Sequence, residues 1–387
     1  MGICVAKSGP MRYNNIDPKG ADQMEQQIQH ELTCLLRQLC RIPAPTGQED
    51  ARAAFCQNWL QAAGYEDCIV DEAKNVICPV GVTADNDVVI FMAHMDTVFP
   101  DTEPMELREA DGRLYCPGAG DDTANLAVLL MAAKLLRKSG RQPKTGVVFC
   151  ANSCEEGLGN LKGCRALMAR YAGRVRQVVS FDLGLDAVFT RAVGSARYRI
   201  TMHAPGGHSY LDFGKPNAIA EMAKLIGQLY ALPLPADTTC NVGQITGGTS
   251  VNTIAQRCEI LYEYRAESNE SLERMAQQLN AVLTPYGAAV ECELLGLRPG
   301  MGICHDPAAQ AALLERIDGA VQRVTGVYPR HIAGSTDCNI PFSQGIPAAC
   351  VGLVNMEGAH TRQEFVELDS LSQGLAVALD LLSDYFA

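Results

Sequence analysis

The stretch DVVIFMAHMDTVFP, residues 87–100, carries two polar side chains at the end of an apolar run. The run up to Ala93 predicts a buried β-strand, because a short continuous apolar segment is typical of a strand covered on both faces. His94 and Asp96 follow with one residue between them, so both side chains fall on the same side of the strand. An imidazole and a carboxylate at the end of a core strand require a functional explanation.

Three further apolar runs also end at acidic or imidazole residues. TGVVFCANSCEEG ends at Glu155 and Glu156, QVVSFDLG ends at Asp182, and PAACVGLVNMEGAH leads to His360. Such runs between helices predict the central strands of a mainly parallel sheet, so the expected fold class is α/β. Open α/β sheets bind ligands outside the carboxyl ends of their strands, and we therefore expect these polar residues to collect at one edge.

The segment PGAGDDTANLAVLLMAAKLLRKSGRQP predicts a helix that begins beside two acids. Leu126, Leu129 and similar residues recur at helical spacing. Asp121 and Asp122 lie at the start of the helix, where an N-cap with a first-turn acid would explain them equally well. Because a glycine-rich segment leads into them and acid-tipped strands lie on either side in the sequence, we interpret Asp121 as a site residue.

The residues collected in this way form a ligand set for metal ions. Two imidazoles and three carboxylates suit hard or borderline divalent metals, zinc above all. If one carboxylate bridges, each of two metals has three protein ligands and an open position, as in a two-metal hydrolase. The five candidates are His94, Asp121, Glu156, Asp182 and His360.

Two neighbouring carboxylates have different predicted roles. A ligating imidazole usually donates its other N–H to a carboxylate or a carbonyl, and Asp96 is placed to accept it from His94. Glu155 precedes a candidate ligand, so its side chain should point elsewhere, toward the attacking water. That is the place of a general base.

The composition restricts the class of protein. The chain has 387 residues, 47% of them hydrophobic, and a net charge of −12. Two domains are expected at this length, and the acidity argues against nucleic acid as a partner. The sequence shows neither a membrane span nor a secretory signal, so we expect a cytoplasmic protein that does not bind membranes. Sixteen cysteines without a CxxC pair predict buried thiols rather than a zinc knuckle.

The first part of the chain predicts two helices and a pair of strands. Residues 1–20 predict an irregular leader, and a helix is expected from near Asp22 to Pro43. GQEDARAAFCQNWLQAAGY predicts a second helix, and EDCIVDE and NVICPVG predict a hairpin-like pair of strands.

Five motifs in fixed order give the chain a family resemblance: HMDTV, GAGDD, CEEG, SFDLG and GAH. Together they resemble the two-zinc metallopeptidases that include peptidase T, carboxypeptidase G, succinyl-diaminopimelate desuccinylase and aminoacylase. The resemblance extends over residues 24–387. It implies a catalytic domain with two zinc ions per chain.

The resemblance also implies a role for each site residue. Asp121 would bridge the two metals, and the peptide bond between Asp121 and Asp122 would be cis. Glu155 is implied as the base and Asp96 as the partner of His94. The remaining ligands would be His94 and Asp182 on one zinc, and Glu156 and His360 on the other.

An inserted lid is a further implication of the resemblance, and the sequence supports one. SARYRITMHAP alternates as a strand, NAIAEMAKLIGQLYAL predicts a helix, and the segments after them continue the order βαββαβ over residues 194–297. This order fits an α+β, ferredoxin-like sandwich. The catalytic domain would then consist of residues 1–193 and 298–387.

The lid is expected to form a homodimer and to supply further site residues. The resemblance implies that His208 in GGHS reaches into the active site of the partner subunit and stabilises the oxyanion. Asn252 in GGTSVN and Arg265 in YEYR match substrate-binding positions, where a guanidinium would hold a carboxylate bidentately. Ser335 and Thr336 in AGSTD are expected to line the same pocket.

Two of these residues also have simpler explanations. His208, between glycine and serine, could be a turn residue, and Arg265, on an alternating strand, could pair with Glu263 or Glu267.

These features favour a metal-dependent hydrolase of peptide (amide) bonds. GGHSYLDFGKPNAI and STDCNIPFSQGIPA resemble the peptidase T-like branch, which favours an exopeptidase of di- and tripeptides. A deacylase of N-acyl amino acids shares every catalytic residue and is the alternative, and a catalytically silent peptide-binding protein is a third. The sequence does not distinguish an aminopeptidase from a carboxypeptidase, nor zinc from cobalt or manganese.

Overall fold

The computed structural model describes the backbone of residues 18–387. The first helix begins at Pro18, four residues before the predicted start near Asp22. Proline is well tolerated in a first helical turn, since an N–H at that position has no partner within the helix. The rest of the predicted leader, up to residue 17, lies outside the described residues.

Helices and strands alternate through most of the described chain. The helices are α1 Pro18–Cys40, α2 Asp50–Ala62, α3 Asn125–Ser139, α4 Lys162–Arg170, α5 Ala218–Tyr230, α6 Asn269–Leu283, α7 Pro307–Thr325, α8 Asn339–Ser343 and α9 Ser370–Ser383. The strands are β1 Ile69–Val70, β2 Val76–Val80, β3 Val88–His94, β4 Arg108–Ala110, β5 Arg113–Tyr115, β6 Gly146–Asn152, β7 Val175–Phe181, β8 Ala187–Ala192, β9 Gly194–His203, β10 Gly207–His208, β11 Thr238–Gly247, β12 Thr253–Ile254, β13 Arg257–Ala266, β14 Val290–Arg298, β15 Arg330–Gly334, β16 Ala348–Val351, β17 Met356–Glu357 and β18 Phe365–Glu367. Across residues 18–387, no helix has the length and apolar character that a membrane crossing requires.

The largest sheet has eight strands in the order β1-β2-β6-β3-β7-β16-β8-β15. Its four central strands are parallel, because β3 pairs in parallel with β6 and β7, and β7 pairs in parallel with β16. The pairs of β2 with β1 and β6, and of β16 with β8, are antiparallel. Every residue of β3, β6 and β16 is buried, as their continuous apolar runs predicted. The predicted α/β class with a mainly parallel main sheet is confirmed.

Helix α3 fixes the segment that carries Asp121. It begins at Asn125, directly after that segment, and packs against α1, α9 and β3. Leu126, Leu129 and Leu130 are at most 1% exposed, and burying each such side chain contributes about 1.5–3 kcal/mol. A helix held this firmly in the core leaves the four residues before it little freedom to move.

The chain divides into two compact units. Of the described residues, the first comprises those up to Thr190 together with Cys304–Ile332 and Thr336–Ala387. The second comprises Arg191–Ile303 with Ala333–Ser335. Each has its own apolar core, and the eight-stranded sheet lies largely in the first.

The second unit is built on a four-stranded antiparallel sheet in the order β11-β13-β9-β14. Alternate residues of β13, among them Ile260, Tyr262 and Tyr264, are buried in a core that α5 and α6 complete. Along the chain the long elements follow as β9, α5, β11, β13, α6 and β14, with the short strands β10 and β12 between them. The role of residues 194–297 as an inserted lid stays a prediction.

Gly374 in α9 offers a test of how closely the core of the first unit is packed. A Cβ at this position would fall on the backbone oxygen of Leu353, so Gly374→Ala must displace the helix. We expect the free energy of unfolding to fall by about 1–3 kcal/mol, as for other overpacked sites. Thermal unfolding of the purified protein measures the change.

Gly227→Ala is the matched control. Gly227 lies inside α5, is exposed, and would have nothing within 4 Å of an added Cβ. Alanine there should raise stability by up to about 1 kcal/mol through helix propensity. Equal melting temperatures for the two variants would contradict the packing argument.

Candidate metal centre

The carboxyl ends of three parallel strands bring predicted ligands together in the first unit. His94 is the last residue of β3, Asp182 follows the last residue of β7, and Glu155 and Glu156 lie just beyond β6. All four side chains are buried. The strand-edge rule thus places them as the sequence predicted.

Asp121 lies between two imidazoles. Its Oδ1 is 3.1 Å from Nε2 of His94, and its Oδ2 is 3.0 Å from Nε2 of His360. Nε2 of His360 is also 3.1 Å from Oε1 of Glu156, and Nε2 of His94 is 3.9 Å from Oδ1 of Asp182. The structure therefore contains two triads of donor atoms that share Asp121, each with its atoms within 4.8 Å of one another.

Glu155 lies beside this cluster. One of its carboxylate oxygens comes within 4.8 Å of donor atoms of His94 and Glu156. The structure thus brings the predicted base and the predicted ligands into one cluster, which is buried except for the exposed side chain of His360.

The segment before α3 is shaped by Asp122 as well as Asp121. The peptide bond between these two residues is cis, which confirms what the resemblance implied. Oδ2 of Asp122 accepts a 2.9 Å hydrogen bond from the backbone N–H of His94. Asp122 therefore joins the segment to the end of β3, while the Asp121 carboxylate faces the imidazoles.

Asp96 holds the ends of β3 and β6 together. Its carboxylate oxygens accept 2.9 Å hydrogen bonds from the backbone N–H groups of Glu155 and Glu156, and another of 2.9 Å from the hydroxyl of Thr46. Nδ1 of His94 is 3.5 Å from its Oδ1 and 3.1 Å from its backbone oxygen. The carboxylate of Asp96 therefore positions both glutamates. Because Nδ1 of His94 lies nearer to the backbone oxygen of Asp96 than to its carboxylate, orientation of His94 by the carboxylate stays a prediction.

Two residues of the cluster region have left-handed backbone conformations. Cys154, just before Glu155, has φ 57°, and His360 has φ 64°. Non-glycine residues are uncommon in this region and are concentrated at functional sites. Burial raises the pKa of the Cys154 thiol to about 11, which disfavours the reactive thiolate form at neutral pH.

The cluster concentrates negative charge in a buried place. Burial alone would raise the pKa of Asp121, but hydrogen bonds from His360 and His94 outweigh it and lower that pKa below its usual range. The contacts with Asp121 and Glu156 raise the pKa of His360 to about 10. Burial raises the pKa of Glu156 to about 7 and the pKa of Asp182 well above its usual value. A divalent cation among these groups would favour their ionised forms.

The donor set fits a pair of divalent ions. Imidazole nitrogens and carboxylate oxygens are the ligands that zinc and its neighbours bind in hydrolytic sites. Oδ1 of Asp182 is buried and, among the described residues, has no hydrogen-bond partner. An unsatisfied buried carboxylate oxygen is costly, and coordination to a cation removes that cost.

A comparison with known protein families agrees with this geometry. Residues 90–384 match the sequence profile of Peptidase family M20/M25/M40. The chain belongs to this family. Membership confirms the predicted resemblance and makes the chain a metal-dependent hydrolase of amide bonds, with candidate ligands for the family's dinuclear metal site.

Individual relatives agree with the family assignment. Succinyl-diaminopimelate desuccinylase of Thiobacillus denitrificans is 27% identical over 376 residues, which cover 89% of this chain and 91% of the relative. A tripeptidase from Staphylococcus aureus has a similar structure, with a TM-score of 0.75, 22% identity and coverage of 92% of this chain and 98% of the tripeptidase. The dinuclear metal-binding peptidase YXEP of Bacillus subtilis gives a TM-score of 0.62 at 19% identity, with 93% and 99% coverage. At these identities the two structures establish the shared M20 fold.

Four further predicted site residues belong to the second unit. His208 and Asn252 are exposed, and the backbone oxygen of Asn252 accepts a 3.0 Å hydrogen bond from the N–H of Ser209. Nε of Arg265 is 3.1 Å from Oε1 of Glu263. This is the ion pair with a neighbouring glutamate that the sequence analysis gave as the alternative to substrate binding. Oγ of Ser335 accepts a 3.1 Å hydrogen bond from Nη1 of Arg298. Their roles in substrate binding stay predictions.

Thr336 and its neighbour Asp337 lie in the first unit. Thr336 is buried, and its hydroxyl accepts a 3.2 Å hydrogen bond from the N–H of Cys338. This hydroxyl therefore has a partner just before the start of α8. Asp337, which the sequence analysis did not single out, is buried and accepts a hydrogen bond from the side chain of Asn152. Burial, with the nearby charge of Glu155, raises the pKa of Asp337 to about 7. In the sequence, only the position of Asp337 directly after the predicted residues Ser335 and Thr336 pointed to it.

Glu364 is a second buried carboxylate next to the site that the sequence analysis missed. Its fully buried carboxylate accepts hydrogen bonds of 2.8, 2.7 and 2.8 Å from the backbone N–H groups of Gly118, Gly120 and Asp121. Because Glu364 follows His360 by four residues, it ties the segment of one ligand to the segment of another. A carboxylate four residues after a predicted histidine was the only signal in the sequence.

Replacing Glu364 by glutamine should weaken metal binding. An amide can present one oxygen in place of two, so at least one of the three N–H groups loses its acceptor and the Asp121 segment relaxes. We expect metal affinity to fall by about 10–100-fold, as for other residues that orient ligands. Competition with a chelator of known affinity measures it.

Glu367→Gln is the control for this prediction. Glu367 lies three residues further along, and its partly exposed carboxylate contacts Arg113 at 3.2 Å. This variant should bind metal like the unaltered protein. Unchanged affinity in the folded Glu364→Gln protein would show that the segment holds its shape without Glu364.

Proposed function

We propose that this chain is a zinc-dependent exopeptidase that cleaves di- and tripeptides as a homodimer. The observation that supports it most is the Asp121 carboxylate placed between two imidazoles, with Glu155 in the same buried cluster. His94, Asp121 and Asp182 would hold one ion, and Asp121, Glu156 and His360 the other. Two divalent ions in such a site polarise the substrate carbonyl and make water nucleophilic near neutral pH.

Glu155 is the proposed general base. It would accept a proton from the attacking water and return it to the leaving amine, as one positioned carboxylate can in both halves of an amide hydrolysis. Its backbone N–H is held at 2.9 Å by Asp96, which limits where its side chain can reach. A binding protein would need the ligands but not this residue, so its presence favours catalysis over silent binding.

His208 is the proposed hydrogen-bond donor to the oxyanion, acting in the partner subunit's site. Two features of the second unit support a dimer. The first is that β11 is an edge strand of its sheet, and exposed edge strands readily pair with another copy of the chain. Large apolar side chains are also exposed in this unit: Tyr210 and Phe213 are 82% and 90% exposed. Apolar side chains this exposed are typical of an interaction surface.

The second unit has the charge to bind a peptide carboxylate. Arg197 and Arg265 both contact Glu263. Burial lowers the pKa of Arg197, and the nearby charge of Arg298 lowers it further. Three neighbouring guanidinium groups, two of them in contact with Glu263, leave positive charge for a second anion, such as a substrate terminus.

The substrate class favoured here is a small peptide, and the S. aureus tripeptidase has the same fold over 92% of this chain. Turnover of di- and tripeptides beside acetyl- and succinyl-amino acids by the zinc-loaded protein tests the choice. Preference for the acylated amino acids would make the chain a deacylase.

We propose a cytoplasmic location on the basis of the cysteines. All fifteen cysteines in the described residues are free thiols, which fits the reducing conditions of a cytoplasm.

Glu155 and Glu156 are adjacent residues with different proposed roles, and glutamine substitutions separate them. Glu155→Gln keeps the shape but removes the proton acceptor, so kcat should fall by about 10²–10⁴-fold with metals and KM retained. Glu156→Gln weakens a metal ligand and should lower metal occupancy. Steady-state kinetics with elemental analysis of both variants measures the difference.

The two glutamates act as controls for each other. If Glu155→Gln loses metal and Glu156→Gln keeps it, the assigned roles are exchanged. If neither variant slows hydrolysis, the mechanism is wrong.

Action of His208 across the dimer can be tested by mixing inactive chains. His208→Ala and Glu155→Gln homodimers each lack one element of both sites, whereas a mixed dimer has one complete site if His208 works in the partner. Subunit exchange should therefore restore activity, up to about half per mixed dimer. No recovery, with exchange demonstrated by mass spectrometry, would mean that His208 works in its own subunit or not at all.

A further inference from the structure

The turn that carries His208 determines where the imidazole proton lies. Nδ1 of His208 accepts hydrogen bonds from the backbone N–H groups of Tyr210 and Leu211, at 3.2 and 3.3 Å. Both partners are donors, so Nδ1 must present its lone pair to them. The neutral ring therefore carries its proton on Nε2.

We infer that Asp212 is a positioning residue that fixes His208 as the Nε2–H tautomer. Oδ2 of Asp212 accepts a 2.8 Å hydrogen bond from the backbone N–H of His208, and the N–H of Asp212 donates 2.9 Å to the oxygen of His208. Oδ1 of Asp212 is in turn 2.7 Å from Nζ of Lys215. Asp212 thus closes the turn that aims two amides at Nδ1.

Gly207 provides independent support for this arrangement. Its φ is +149°, and a Cβ at this position would lie 2.7 Å from the side chain of Asp212. The backbone before His208 therefore passes directly against Asp212, and only glycine permits that approach. The contact between Asp212 and the start of the turn is built into the sequence GGHSYLD.

The fixed tautomer has a chemical consequence, which rests on the oxyanion role proposed for His208. An oxyanion needs an N–H donor, and Nε2–H supplies one in a neutral ring. The opposite tautomer would direct a lone pair from Nε2 toward the developing negative charge. Nε2 is also available, because within the described part of the chain it makes no hydrogen bond and the side chain is exposed.

The tautomer can be observed directly by NMR in the zinc-loaded full-length protein with ¹⁵N-labelled histidine. The chain has seven histidines, and the spectrum of His208→Gln identifies the His208 signals. We expect a protonated Nε2 and an unprotonated Nδ1. Asp212→Ala should convert this pattern to a mixture of tautomers, and Asp212→Asn, which keeps an acceptor oxygen for the His208 N–H, should preserve it.

Kinetics then tests whether Asp212 acts through His208. Loss of an oxyanion donor costs about 10²–10³-fold in kcat, so His208→Ala should show a loss of that size. Asp212→Ala should lose less, in kcat more than in KM, and should have no further effect in a His208→Ala background. Glu221→Ala is the control, since Glu221 pairs with Lys224 at the same 2.7 Å and is similarly exposed, yet accepts no backbone N–H of the turn.

Each outcome bears on a separate claim. A protonated Nδ1 in the unaltered protein, or an unchanged tautomer in Asp212→Ala, would overturn the inference. So would additive kinetic losses in the double variant. A fixed Nε2–H tautomer with no effect of His208→Ala on turnover would instead refute the proposed oxyanion role and leave the positioning by Asp212 intact.

Discussion

The carboxylate of Asp96 is the contact on which the metal centre depends. It is fully buried and accepts hydrogen bonds from two successive backbone N–H groups, those of Glu155 and Glu156. Burial alone would raise its pKa, but His94 and these amides outweigh burial and lower it, so the group is ionised at neutral pH. Without it, two buried amides would lose their acceptor, at about 1–3 kcal/mol each, and the segment that carries the two glutamates would lose its side-chain link to the segment after β3. Together with the backbone pairing of β3 and β6, this side chain fixes the position of the proposed base relative to His94.

Acidic residues have two different structural roles in this site. Asp96, Asp122 and Glu364 direct their oxygens at backbone amides and so shape the chain. Asp121, Glu156 and Asp182 direct theirs at the imidazoles and at one another. The first group allows the second to exist, because carboxylates crowded in a buried place repel one another and need a rigid frame. Composition cannot separate the two groups, since the residue types are the same and only the partners differ.

The sequence predicted those parts of the molecule that follow from periodicity and strand direction. Apolar runs indicated the central strands, and parallel strands bring their ends to one edge, so the amino-acid order alone was enough to group His94, Glu156 and Asp182. Glu364 and Asp337 could not be found in this way, because their partners are distant in sequence and the contact with Glu364 is made by backbone that carries no residue signature. Arg265 stayed ambiguous for a related reason: the alternation of a strand places it near Glu263 whether or not it binds substrate.

The order of strands in the large sheet also constrains when the protein can fold during its synthesis. β16 lies between β7 and β8 in the sheet, although more than about 150 residues separate it from either strand along the chain. Pairing between segments so distant in sequence is slow. The eight-stranded sheet therefore cannot be complete until residue 351 has left the ribosome. His360 follows still later, so the last ligand to be synthesised completes a centre whose first ligand was made more than 260 residues earlier. Of the two triads that share Asp121, the one with Asp182 can therefore assemble before the one with His360, so the two candidate metal positions become available one after the other as the chain is synthesised.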